Sequence, residues 1–359
     1  MRAITVQPGV LGSVKLATVE EPQPEAGQAL LETLEVGVCG TDREIVAGGH
    51  GAAPAGVAWL IPGHECLARI LAAPAESGLR AGQLVAPTVR RPCGRPRCYP
   101  CAHDHPDMCV TLQYTERGIQ GAHGYQCERF VEWPRYLVPL PGGFAPFGVL
   151  MEPTSVVTKA IEEAARVQRA RLAWEPHRAL VTGAGPVGLL AAMLLRLRHL
   201  DVTVYDRDAA DHPRAQAVRA LGATYVCSAD ADLQRTAGSG GVDWIVECTG
   251  ARALVFGCLQ ALAPAGVLCL LGVSGAGGSL EVPADAINLG LVLRNGLVFG
   301  SVNASREAFA QAGQSLAVAE ATWPGWLSGL VTRRLAPAEV SSAVGGGAEG
   351  IKTAIRWAS

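Results

Sequence analysis

Two residues able to bind a metal and activate an oxygen stand on separate loops of the amino-terminal half. They are Cys39, in Cys39-Gly40-Thr41-Asp42, and His64, in Pro62-Gly63-His64-Glu65. Thiolate and imidazole are good zinc ligands, and a bound zinc polarises an alcohol or carbonyl oxygen. Twenty-five residues separate the two, so only the fold can bring them together. Taken singly, Cys39 reads as a small buried hydrophobe and His64 as a satisfied loop histidine. Together, upstream of a dinucleotide fold, they read as a metal site. A second group is local: Cys93, Cys98, Cys101 and Cys109 lie within 17 residues, spaced C-x4-C-x2-C-x7-C. Four thiolates in one Pro- and Arg-rich loop fit a closed tetrahedral zinc site with a structural role. An iron–sulfur cluster or two disulfides are the rival readings. His103 and His105 lie inside this lobe and read as solvated.

A third stretch, Ala179 to Asp206, organises the rest of the chain. It reads as a strand, then Gly183-Ala-Gly185-Pro186-Val187-Gly188, an apolar helix, a second strand and Asp206. Gly183 allows the tight turn, Gly185 lets backbone approach a pyrophosphate, and Gly188 lets helix and strand pack closely. The helix start offers unpaired N–H groups and a positive dipole end to the phosphates. Asp206, 18 residues past Gly188, is placed to accept hydrogen bonds from the adenosine ribose. The surroundings make the motif specific, because the glycine pattern alone would be weak.

Bulk properties exclude several classes. A formal net charge of −2 gives no bias toward nucleic acid or anionic membrane. No apolar run reaches spanning length before Gly, Pro or Arg interrupts it, and the start lacks the apolar core of a signal peptide. Eleven cysteines, an odd count with four crowded together, point to metal in a reducing, cytoplasmic compartment. Only three lysines occur (Lys15, Lys159, Lys352), which leaves few candidates for Schiff-base chemistry.

The elements that must position these groups follow in order. Strands are expected at Ala29 to Val36, Cys66 to Ala73 and Gly82 to Val85, and from Phe130 to Leu140. A helix is expected from about Thr154 to Arg169, with Glu152 at its start, where the dipole favours a carboxylate. After Asp206 come strands at Tyr225 to Cys227, Trp244 to Cys248, Val267 to Gly272 and Leu297 to Gly300. With helices between, they complete a doubly wound parallel sheet of about six strands. Ligands bind outside the carboxyl ends of such strands, which puts Thr249, Gly250, Gly272, Val273 and Asn303 near the nicotinamide. The expected organisation is a catalytic domain over 1–177, with the cysteine lobe at about 90–110, and a dinucleotide domain over 178–304. A final segment, 305–359, returns to the first domain.

At this point the residues resemble a family over essentially the whole chain, the zinc-dependent medium-chain dehydrogenase/reductase superfamily, and most nearly its glucose dehydrogenase branch. The matching segments are Cys39-Gly-Thr-Asp-Arg-Glu-Ile45, Gly63-His-Glu65, Thr88-Val-Arg-Arg91, Arg117-Gly-Ile119 and Tyr136-Leu-Val138. They continue with Glu152-Pro153, Gly300-Ser-Val-Asn303 and Ile351-Lys-Thr-Ala-Ile355. The resemblance implies an α/β fold: a GroES-like, mainly β catalytic domain plus a Rossmann domain. It implies one catalytic zinc held by Cys39, His64 and Glu152, with Glu65 as a fourth or exchanging ligand, and one structural zinc in the lobe. Thr41 would hydrogen-bond the substrate oxygen and relay its proton. Glu116 and Asn303 match positions that contact sugar hydroxyls, and Glu152 also borders the substrate.

Three places depart from the pattern. Glu44 stands where alcohol dehydrogenases often end the relay with histidine, and Val156 where glucose-oxidising enzymes can carry a sugar-binding acid. Asp206-Arg207-Asp208 replaces the small residue and paired arginines that accommodate a 2′-phosphate. This favours NAD, while Arg207 keeps NADP open. The implied activity is hydride transfer between NAD(P) and a secondary alcohol of a polyhydroxylated substrate: an aldose, cyclitol or aminocyclitol. A simpler secondary-alcohol or threonine-type dehydrogenase is the alternative enzyme, and a catalytically silent NAD(P)-binding protein the alternative of another class. The resemblance further implies a homodimer or homotetramer, with edge pairing near Leu297 to Gly300.

Overall fold

A computed structural model describes residues 1–275, 277–345 and 350–358. The chain divides into two compact units, the first comprising Met1–Ser155, Asn303–Gln314 and Leu327–Ser359, the second Val156–Val302 and Ser315–Trp326.

The first unit is mainly β. Its seven-stranded sheet runs in the order Leu137–Leu140, Leu84–Pro87, Glu65–Ala72, Ala29–Val38, Thr353–Arg356, Arg333–Leu335, and Arg129–Glu132 also pairs with Ala29–Val38. Ala29–Val38 is the central strand, and all but two of its ten residues are buried. Leu31, Val36, Cys66, Ala68, Ile70, Val85, Tyr125 and Leu137 pack into one core against its faces. Register explains how distant residues meet. Gly37 pairs antiparallel with Glu65, and Val38 with Thr353. Cys39, just past one strand's end, therefore meets His64 and Lys352, which just precede the starts of its two neighbours.

The second unit carries a six-stranded, wholly parallel sheet. Its order is Thr224–Cys227, Asp201–Asp206, Arg178–Thr182, Val242–Glu247, Leu262–Leu270, Leu297–Gly300. These strands read as near-continuous apolar runs because helices cover both faces. The helix Pro186–Arg196 is buried from Gly188 to Leu195, with Pro186 at its first turn, where a missing N–H costs nothing.

Two expectations are corrected. Phe130 to Leu140 is not one strand, because Pro134 opens a 3-10 turn, Pro134–Tyr136, that separates Arg129–Glu132 from Leu137–Leu140. The domain boundaries also differ from 177 and 304. The helix expected from Thr154 spans Met151–Arg171, and from Val156 onward it groups with the dinucleotide sheet. Its buried face explains this: Cys269 Sγ points at the Ala160 carbonyl, and Gln168 donates to the Ala265 carbonyl. Residues 315–326 group there too, with Trp326 Nε1 donating to the Ala217 carbonyl at 2.9 Å.

Candidate active site and metal centres

Cys39 follows the central strand and is the N-cap of the short helix Gly40–Val46. Asp42 fixes the turn by accepting the Cys39 N–H at 2.9 Å. His64 follows Gly63, whose φ of +88° favours glycine. A Cβ there would lie 2.6 Å from Gln126 Cγ and 2.8 Å from Val36 Cγ1. These turns bring Cys39 Sγ to 3.4 Å from His64 Nε2. The ligand atoms of Cys39, His64 and Glu65 all lie within 4.8 Å of one another. Thr41 is half-buried in the helix's first turn, and Glu44 is exposed.

The donor set fits zinc. Zn–S of about 2.3 Å and Zn–N of about 2.0–2.1 Å, set at a tetrahedral angle, place sulfur and nitrogen about 3.5 Å apart. The charges fit as well. Asp42, Glu65 and Glu152 are buried beside Cys39, with His64 and Lys352 as counter-charges. Burial pushes the Glu152 carboxyl up to about 7, against the pull of His64. Burial alone would lower the His64 pKa, but Cys39 and then Asp42 and Glu152 outweigh it and hold it well above the usual value. Desolvation and the neighbouring Asp42 raise the Cys39 thiol. Such an acid excess, out of water, is what a bound dication balances. Glu152 is not among the three residues with closely clustered ligand atoms.

Lys352, which the spacing of motifs left without a role, pairs with Glu65 and donates to the Val38 carbonyl at 3.2 Å. Gly37 makes room for this pair. A Cβ there would fall 2.0 Å from Glu65 Oε2 and 2.8 Å from Lys352 Cε. The available signal was that Lys352 is one of three lysines and sits inside a matching segment.

In the lobe, the Sγ atoms of Cys93, Cys98, Cys101 and Cys109 also lie within 4.8 Å of one another. Cys98 and Cys109 are 3.8 Å apart, the edge of a ZnS4 tetrahedron with bonds of about 2.3 Å. All eleven cysteines are free thiols, which removes the disulfide reading. Burial pushes the Cys109 thiol up, but hydrogen bonds from Thr111 and the neighbouring thiols bring it to about 6. His103 and His105 are exposed and stand outside the cluster.

Glu116 and Asn303, far apart in sequence, meet: Asn303 Nδ2 donates to Glu116 Oε1 at 2.8 Å, and both are buried. Asn303 thus falls in the first unit, whereas the other candidate cofactor residues fall in the second.

In the second unit, Gly183 has φ +90°, and a Cβ on Gly188 would stand 1.8 Å from the Gly183 carbonyl oxygen. Gly185, the N-cap of the helix, faces open space, and Pro186 and Val187 begin the helix. Asp206 accepts the backbone N–H groups of Ala184 and Asp208. Arg207 is exposed. Asp208 is paired with Arg214 at 3.1 Å. At the ends of the next two strands the loops touch. A Cβ on Gly272 would meet the Gly250 nitrogen at 2.0 Å, and one on Gly250 the Val273 carbonyl oxygen at 2.3 Å. Glu247, fully buried, accepts from the Thr249 N–H at 2.7 Å and the Gly250 N–H at 3.1 Å. Sequence reasoning assigned Glu247 no role, since a strand-end acid carries no signal of its own. Val273 is left 85% exposed.

Comparison with known proteins agrees with this geometry. Residues 25–142 match the alcohol dehydrogenase GroES-like domain, and residues 145–357 match the glucose dehydrogenase C-terminus. Fold and sites together define a zinc-dependent medium-chain dehydrogenase/reductase. Within that class, the chain belongs to the glucose dehydrogenase family. A glucose 1-dehydrogenase of Methanocella arvoryzae is 38% identical over 357 residues, 99% of each chain. One from Thermoproteus tenax is 42% identical over 336 residues, 93% of this chain and 92% of the relative. A solved structure of Haloferax mediterranei glucose dehydrogenase in complex with NADP, zinc and gluconolactone has a TM-score of 0.91 at 36% identity. It covers 100% of both chains. Among the described residues no helix is long and apolar enough to cross a membrane.

Proposed function

We propose that this dehydrogenase oxidises one carbinol of an aldose or related polyol. The carbon gives a hydride to NAD, its hydroxyl proton leaves toward solvent, and a carbonyl product and NADH result. The observation that carries this is the part-buried Cys39–His64 pair at 3.4 Å, in the same unit as the hydrogen-bonded Glu116–Asn303 pair. Cys39, His64 and Glu152 would hold the catalytic zinc, with Glu65 as an exchanging ligand. The metal, when bound, supplies Lewis-acid stabilisation of the developing alkoxide. Thr41 orients the hydroxyl and relays its proton toward solvent, accepting it while passing its own on. Glu116 and Asn303 select neighbouring hydroxyls, and Glu152 borders them. The four lobe cysteines would hold a second, structural zinc.

The glycine turn from Gly183 to Gly188 cradles the pyrophosphate, and Thr249, Gly272, Val273 and Asn303 serve the nicotinamide end. Asp206 receives the ribose. A carboxylate there repels a 2′-phosphate, Arg214 is engaged by Asp208, and the exposed Arg207 is left to attract it. NAD is therefore the preferred cofactor, although the Haloferax mediterranei structure contains NADP. Apolar residues exposed on the helix Ala284–Leu293 (Leu289, Val292 and Leu293), beside the edge strand Leu297–Gly300, support a homodimer.

The deciding experiment follows reduced-cofactor absorbance with aldoses, cyclitols, threonine and simple secondary alcohols, each with NAD and NADP. Turnover of an aldose or cyclitol supports the reading, and activity confined to threonine or simple alcohols refutes the sugar assignment. Higher kcat/KM with NADP refutes the cofactor preference. If Asp206 sets that preference, Asp206→Asn raises relative use of NADP roughly tenfold, about 1.4 kcal/mol of relieved repulsion.

A further inference from the structure

Thr88-Val-Arg90-Arg91 matches the family, yet the reading above gives Arg90 no task. Its strand, Arg90–Arg91, pairs antiparallel with Thr115–Arg117, so that Arg90 stands directly opposite Glu116. The guanidinium is 4% exposed and lies over the Tyr114 ring at 3.7 Å. Its Nε and Nη2 both reach Glu116 Oε1 at 3.0 Å, and its Nη1 donates to the Asp107 carbonyl at 2.9 Å. Asn303 Nδ2 adds a third donor to the same oxygen at 2.8 Å. All the donors converge on Oε1, so among the described residues Oε2 receives no hydrogen bond. Asp107 lies between Cys101 and Cys109, which places the far end of Arg90 on the cysteine lobe.

We infer that Arg90 is a positioning residue for substrate selection. It clamps one oxygen of Glu116 and ties that carboxylate to the lobe, so that Oε2 is presented to a substrate hydroxyl. This rests on the reading that Glu116 contacts the polyol. The arrangement demands arginine. A planar fork can hold one carboxylate oxygen through two donors while a third reaches a carbonyl, and a lysine ammonium, a point charge on a flexible stem, cannot. The lobe then does more than stabilise the chain, because its Asp107 carbonyl sets the angle of a selective group.

The test compares Arg90→Lys, Glu116→Gln and the double variant Arg90→Met/Glu116→Gln with the parent holoenzyme. The double variant removes both charges of a buried pair, which folded proteins tolerate far better than the loss of one. KM and kcat are measured on D-glucose and myo-inositol, with the Kd of each sugar from calorimetry and the melting temperature of each variant. Arg90→Lys is expected to raise KM and Kd at least tenfold, with a smaller change in kcat. The double variant should match Glu116→Gln within twofold, because Arg90 acts through Glu116. Tyr99→Ala, at an exposed lobe position, should leave all values unchanged.

Unchanged KM in a folded Arg90→Lys overturns the inference. So does a double variant whose effect exceeds that of Glu116→Gln by tenfold. If Glu116→Gln itself leaves KM and Kd unchanged, or if neither sugar is bound or turned over, the substrate reading fails first and takes the inference with it.

Discussion

The two candidate metal centres of the first unit are built on opposite plans. The lobe draws four identical ligands from 17 consecutive residues, and it needs little from the rest of the fold. The Cys39–His64 centre draws a thiol, an imidazole and a carboxylate from the ends of neighbouring strands. It adds Lys352 from the far end of the chain as a counter-charge. A closed set of thiolates leaves no open position and serves stability, whereas a mixed, acid-rich set can leave a position for substrate. The difference teaches that the chemistry lies where topology, not spacing, assembles the ligands. The short-range cluster can be lost to folding, the long-range one to function.

Two substitutions can break that contrast. His64→Ala is expected to lower kcat at least a thousandfold while the protein stays folded and retains one zinc per chain, read by metal analysis and circular dichroism. Substantial remaining turnover would falsify the catalytic assignment. Cys101→Ala should do the reverse. Structural zinc contributes on the order of 10 kcal/mol of apparent binding energy in small domains, so its loss should cost several kcal/mol of stability. A chelator that strips the lobe should reproduce the effect on the unaltered protein. A Cys101→Ala protein that melts at the parent temperature would remove the structural role.

Legibility in the sequence followed the same divide. The lobe, the glycine turn with Asp206, and the six parallel strands were readable because their signals are local: identical ligands at short spacing, and apolar runs punctuated by glycine. Cys39 and His64 were readable only as a pair of types, and their meeting depends on the register that sets Gly37 against Glu65. Lys352 and Arg90 escaped assignment because they work through long-range contacts that no periodicity announces, and Glu247 because an acid at a strand end, holding the next loop's N–H groups, carries no signal of its own. The helix Met151–Arg171 was legible as a helix but not as an element of the second unit, since an apolar face does not say which sheet it will cover.

The smallest expected effect sharpens what makes His64 a candidate ligand and another histidine of the same unit not. His123 stacks on Trp59 at 4.5 Å and accepts the Ile61 N–H at Nδ1, 3.1 Å away. Burial, and then the Arg117 charge, push its pKa down to about 4, whereas at His64 Cys39, and then Asp42 and Glu152, outweigh burial and raise it. The ring is therefore neutral in the folded protein where the unfolded chain, with a pKa near 6.5, already takes up a proton. Stability from this group is present above pH 6.5 and is lost as pH falls from there toward 4. Because the ring is only half-buried, the loss should be no more than about 1 kcal/mol. His123→Phe removes the titration, so the stability difference between parent and variant should narrow, or move in the variant's favour, between pH 7 and pH 5 in urea melts. A difference that stays constant across that window would mean that His123 is solvated like His103 and His105, and that burial does not separate it from them.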